Sequence, residues 1–138
     1  MQFNQLIPEL YVSDFAKSLN FYTNILPFKI EYSRDNPQFA FLSYQGSQLM
    51  IQIEDNNPDW NTDRAEYPYG RGINFQIDTD NVQGIVASLS QYNYPLKRNI
   101  KDSWYRSGNK EYGCREILVM DPDGYLLRFS QDTGERVV

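Results

Sequence analysis

With 138 residues, 41% of them hydrophobic, the chain has room for one domain with a real core and is a poor candidate for disorder. A net charge of −5 argues against a nucleic-acid surface, whose phosphates need a basic face, and no apolar run nears the roughly 20 residues of a membrane span. Histidine is absent, which removes the Ser-His-Asp triad, the Cys-His pair, the histidine general base and the histidine metal ligand at one stroke.

In chain order, Leu6 to Ser13 is apolar with partial alternation and reads as a strand. Ser13 or Asp14 offers a helix N-cap, and Phe15, Leu19, Tyr22, Ile25 and Leu26 follow at helical spacing until Pro27 stops them. Phe28 to Ser33, Gln38 to Tyr44 and Gln48 to Glu54 are three strands, punctuated by Asn36-Pro37 and Gln45-Gly46. Asp55 to Gly70 is polar and reads as a connecting loop. Its three aromatics, Trp60, Tyr67 and Tyr69, either pin the loop or pack down as a lid over a pocket.

The pattern then restarts. Gly72 to Thr79 is a strand, Asp80 a cap, and Val82, Ile85, Val86 and Leu89 a helical stripe. Tyr94-Pro95-Leu96-Lys97 answers Leu26-Pro27-Phe28-Lys29 about 68 residues later. Leu96 to Ile100, Trp104 to Ser107, Arg115 to Met120 and Tyr125 to Ser130 are strand candidates. Asp121-Pro122-Asp123-Gly124 separates the last two with the residues a type I turn prefers. The chain is therefore expected to be α+β: two β-α-β-β-β modules, about 5–54 and 71–131, joined by the loop 55–70 in a single domain whose paired sheets curl around a cleft.

Paired modules of this kind, with "PELYVSDFAKSLNFYTNILPF" near the start and "MDPDGYLLRF" near the end, resemble the vicinal oxygen chelate superfamily of glyoxalases, extradiol dioxygenases, and fosfomycin- and bleomycin-resistance proteins. The resemblance covers about residues 5 to 131. Enzymes of that superfamily hold one divalent metal through His and Glu on the first and last strands of each module. Carried over, those positions fall near Ile7 and Met50 and on Gly72 and Arg128, none of which ligates a hard cation. A slip of register onto Glu9 would restore one position but not four. The resemblance therefore implies no metal, no cofactor and no catalytic set.

"GNKEYGCREILVMDPDGYLLRFSQ" and "YPYGRGINFQI" resemble the bleomycin-resistance branch, acidic homodimers that sequester a cationic glycopeptide antibiotic between subunits. The resemblance places Tyr112 where that branch carries a stacking tryptophan and Phe39 where it carries a stacking phenylalanine. A phenol still stacks, with less area. Trp104 edges the expected cleft, Gln52 lies on an inner-facing strand, and Trp60 sits in the loop; each also has an ordinary packing role open to it. Arg128 either pairs with a carboxylate such as Glu9 or faces the ligand and binds an anionic group. Lys17, Arg34 and Lys97 read as solvated charges, as do Glu31, Asp35, Asp59 and Asp63.

The expected function is thus metal-free binding of a small molecule, a cationic or aromatic antibiotic such as bleomycin, in a dimer-interface cleft of a cytoplasmic homodimer with no nucleic-acid or membrane partner. The cytoplasm is expected because MQFNQLIPEL lacks the regions of a signal peptide and Cys114, the only cysteine, forms no intrachain disulfide. A metal-dependent lyase or dioxygenase with displaced ligands, and a scaffold whose cleft binds a peptide or nothing, stand as alternatives.

Overall fold

A computed structural model describes all residues from Met1 to Val138. The element order is β1 (Glu9–Val12), α1 (Phe15–Asn20), a π-helical turn (Phe21–Ile25), β2 (Lys29–Asp35), β3 (Gln38–Tyr44), β4 (Ser47–Ile53), β5 (Asn74–Asp78), α2 (Val82–Gln91), β6 (Arg98–Ser107), β7 (Lys110–Met120) and β8 (Leu126–Val137). The β-α-β-β-β unit is present twice. Each copy makes one four-stranded sheet, ordered β1-β4-β3-β2 and β5-β8-β7-β6, with one parallel pair and two antiparallel pairs. No helix is long and apolar enough to cross a membrane. The chain forms two compact units: Met1–Arg71 with Asp121–Tyr125, and Gly72–Met120 with Leu126–Val138.

In the first unit the alternation of each strand sorts its residues. Leu10, Val12, Ala40, Leu42, Leu49 and Ile51 are buried on the side of α1, which adds Phe15, while the π-helical turn after it adds Phe21, Tyr22 and Ile25. Asp14 caps α1 by accepting from the Lys17 amide at 3.1 Å. The helix does not keep one pitch to Leu26. Its last turn widens, so that the Leu26 amide bonds the Phe21 carbonyl at 2.8 Å, an i to i+5 closure. That turn places Tyr22 edge-on to both Phe21 and Phe28.

The Asp121–Tyr125 segment belongs to this first unit. Its type I closure is intact, Gly124 N–H to Asp121 C=O at 2.9 Å. Asp121 Oδ1 accepts from the amides of Asp123 and Tyr125, and Oδ2 accepts from the Tyr22 hydroxyl at 2.8 Å. Asp123 in turn accepts from the amide and hydroxyl of Ser13, and the Tyr125 hydroxyl donates to the Tyr11 carbonyl. Gly124 is held at φ +94, and a Cβ there would come within 2.7 Å of the Pro68 backbone. The motif is therefore a folding device: two acidic side chains satisfy five donors that would otherwise be orphaned around a buried turn.

In the second unit Ile77, Ile117, Val119, Leu127 and Phe129 are buried on the side of α2, against Val82, Ile85 and Leu89. The cap of α2 is Asn81 rather than Asp80; its side chain accepts from the Gly84 amide at 2.9 Å. The two strand candidates before Ser107 are one strand, β6, bulged between Arg98 and Lys101. β8 runs on to Val137, because the far ends of β6 and β7 continue the ladder beyond the core.

Burial holds the Asp121 carboxyl well above the ordinary range, at about 6, despite the opposing bonds from Tyr22, Tyr125 and Asp123. A folded-state value above the unfolded one means that its stabilisation is complete below about pH 4 and is lost as pH rises through about 6. Relative to Asp121→Asn, the wild type should lose about 2 kcal/mol between pH 4 and pH 7. Urea unfolding of both proteins at the two pH values measures this; an unchanged gap would refute it.

Candidate functional site

The sheet faces turned away from the helices carry the polar and aromatic residues that could meet a ligand. In the first sheet two rows cross all four strands there: Tyr11, Gln52, Phe39, Arg34 and Glu9, Met50, Phe41, Tyr32. Phe39 and Gln52 are thus direct cross-strand partners, as a shared ligand wall requires. Phe39 is only 3% exposed. The Arg34 guanidinium lies 4.5 Å from its ring centroid, and Tyr32 sits at 5.8 Å. Arg34 is therefore no idle solvated charge; the one-residue register of β2 on β3 sets it over an aromatic face. Tyr32 also stacks on Phe41, whose edge meets Phe3.

Beside this row, the start of the 54–70 loop borders an open pocket of about 640 Å³. Tyr11, Glu54, Asp55, Asn57, Asp63 and Arg64 are among its walls. Tyr11 donates to Asp55 at 3.1 Å. Tyr69 donates to Glu54 at 2.7 Å, which pushes the phenol up to about 12. Burial, with Asp55 nearby, raises the Glu9 carboxyl, partly offset by Arg34. Trp60 is 70% exposed and its ring is not part of the pocket wall, so the loop is not closed by it. Tyr69, edge-on to Tyr125, is the aromatic that pins the loop.

In the second sheet the face away from α2 carries the row Gln76, Arg128, Leu118, Arg98 and, next to it, Asp78, Ser130, Glu116. Arg128 does not pair with Glu9. Its Nη1 bonds Glu116 Oε2 at 3.2 Å, and Tyr105 donates to Oε1 at 2.9 Å. Glu116 is 2% exposed, so the sheet itself supplies the carboxylate that a half-buried arginine needs. The hairpin register explains the choice: Leu118 faces Arg128, and Glu116 is the diagonal neighbour on the same face. Sequence reasoning missed Glu116 and Tyr105, although counting back from the Asp121–Gly124 turn reaches Glu116.

Tyr112 and Trp104, both partly exposed, lie on opposite faces of this sheet. Tyr112 pairs with Tyr105, on the Glu116 side, whereas Trp104 pairs with Gly113. The Trp104 ring lies across Gly113, where a Cβ would meet it at 3.0 Å, and Arg136 stacks on it at 4.0 Å. Cys114 is a free thiol raised by burial and by Glu116, which suits a strand residue rather than a nucleophile.

Of the four positions that the resemblance assigns to metal ligands, Ile7 and Gly72 lie outside the strands, and the registers set Glu9 beside Met50 and Gln76 beside Arg128, so that one carboxylate and one amide stand with a thioether and a guanidinium, a poor set for a divalent cation. No group of three or more Cys, Asp or Glu side chains is placed to hold a metal ion anywhere in the chain. Glu116 already has its oxygens engaged by Arg128 and Tyr105.

Removing one partner of such a pair leaves a charge stranded. Arg128→Met should destabilise by about 2–4 kcal/mol, and adding Glu116→Gln should restore part of that loss. Denaturant unfolding of the wild type, both single variants and the double variant closes the cycle; a purely additive result would show that the pair does not act as a unit.

Comparison with known proteins agrees with this architecture. The lactoylglutathione lyase of Haemophilus influenzae is 24% identical over 132 residues, covering 92% of this chain and 91% of its own. That of Neisseria meningitidis serogroup A is 26% identical over 127 residues, covering 88% and 86%. Among solved structures, TioX from Micromonospora sp. ML1 shares the fold at a TM-score of 0.71 and 14% identity, over 93% of this chain and 98% of its own. The fosfomycin resistance protein FosX of Listeria monocytogenes does so at 0.58 and 21%, over 94% and 91%. Residues 2–129 match the family profile, and the chain belongs to the Glyoxalase/Bleomycin resistance protein/Dioxygenase superfamily.

Proposed function

We propose that this chain is a binding member of its superfamily: a cytoplasmic, homodimeric protein that captures a flat, cationic small molecule of the bleomycin type without a metal and without catalysis. The observation that carries the reading is Arg128, a permanent cation at the family's glutamate position, bonded to a buried carboxylate. A cation beside the seat of a divalent metal opposes its binding by simple repulsion. No histidine is present to take over as base or ligand.

The preference for a flat cation has its own support. Phe39 already carries a planar cation, the guanidinium of Arg34. A ligand with a flat, positively charged group would take the same place by displacing Arg34, next to the amide of Gln52. Glu54, Asp55 and Asp63 outnumber Arg64 around the neighbouring pocket, so its field favours a cation. Tyr112, on the Tyr105 side of the second sheet, supplies a further exposed ring for stacking. Trp60 and Trp104 have weaker claims, the first for want of neighbours and the second because Arg136 covers it.

Calorimetric titration with bleomycin should give a saturable heat. Phe39→Leu, which keeps the apolar volume but not the ring, should weaken binding about tenfold, and Arg34→Ala should tighten it about two- to fivefold. No heat with the wild type would end the drug assignment; equal affinity in Phe39→Leu would end the stacking role. The name carried by the curated relatives motivates one other reading, a metal-dependent lyase of the same superfamily with displaced ligands. Turnover of the glutathione hemithioacetal of methylglyoxal, tested with added divalent metals, would establish that reading and refute ours.

A further inference from the structure

On the second sheet, Arg98 Nε and Nη2 and Arg128 Nε are buried and have no hydrogen-bond partner. The two arginines stand in one row, on either side of Leu118 and on the face away from α2. A guanidinium cannot shed its proton, so these donors persist at every physiological pH. Native folds leave few buried donors unpaired, and each one that remains is unfavourable in the absence of a partner. The acceptors on this face are already engaged: Glu116 by Tyr105 and Arg128, Asp78 by Gln76. With Asp78 and Glu116 facing the two arginines the charges balance, and what the row leaves over is hydrogen-bond donors.

We propose that Arg98 and Arg128 form a site for a small oxyanion, a carboxylate or phosphate group on a ligand or the free anion. Their Cα atoms lie two strands apart, about 10 Å, a span that two arginine side chains close around one anion. The planar forks suit paired oxygens. Leu118 between them supplies an apolar floor that offers the anion no competing donor. The fork of Arg128 is anchored at one end by Glu116, which fixes the direction of its remaining donors. The site goes beyond the cation-stacking role of the first sheet and does not depend on it.

The test is thermal unfolding of the full chain in sodium phosphate, sodium acetate or sodium chloride at matched ionic strength, with titration calorimetry of phosphate alongside. Phosphate should raise the melting temperature saturably by several degrees over chloride; the larger of the phosphate and acetate responses identifies the preferred group. Arg98→Gln should abolish the shift while retaining the far-UV circular dichroism of the wild type. Arg98→Lys keeps the charge but not the fork, and should bind phosphate about tenfold more weakly; it decides the matter if Arg98→Gln does not fold. Neither anion exceeding chloride, or either variant binding as tightly as the wild type, would overturn the site. None of these outcomes touches bleomycin binding, which is read separately.

Discussion

A carboxylate shut away from water must be met by a cation or by donors, and Glu116 has both. Arg128 supplies the charge and Tyr105 a hydroxyl, so three strands, β6, β7 and β8, converge on one side chain. Once that pair forms, the chemistry open to the sheet face is narrowed. Arg128 cannot swing out without stranding Glu116, and Glu116 cannot ligate a cation without losing Arg128. The face is left with unmet hydrogen-bond donors.

The first unit solves a similar problem with opposite chemistry. Asp121 and Asp123 sit in a tight turn and accept from backbone amides and from Ser13 and Tyr22. No cation is among these partners, so the turn tolerates burial by drawing Asp121 toward its neutral form. The family's most recognisable motif is thus explained by folding.

Much of the architecture was legible in the sequence because it rests on local periodicity. The stripes in α1 and α2, the alternation of β3 and β4, and the Asp-Pro-Asp-Gly turn are all statements about neighbours within a few residues. What escaped depended on register. The π-helical turn at Phe21–Ile25 needs an i to i+5 bond that no spacing rule distinguishes from an α-helical one. The bulge between Arg98 and Lys101 merged two strand candidates into β6 and put Arg98 in line with Arg128. The site was legible in the same uneven way. Phe39 and Gln52, singled out separately in the sequence, prove to be cross-strand partners only through the register of β3 on β4, and the carboxylate that Arg128 needs is Glu116 rather than Glu9. Trp104 and Tyr112, eight residues apart, fell on opposite faces because the hairpin joins Trp104 to Gly113 and Tyr105 to Tyr112.

The proposed function has an internal ion pair, Arg128 with Glu116, where a metal would otherwise sit. Elemental analysis tests it most directly: the purified protein is incubated with zinc, nickel, manganese and ferrous iron in turn, desalted, and its metal measured per chain. The account predicts only substoichiometric traces of each. One ion bound per chain, retained through desalting and lost in Glu116→Gln, would contradict it.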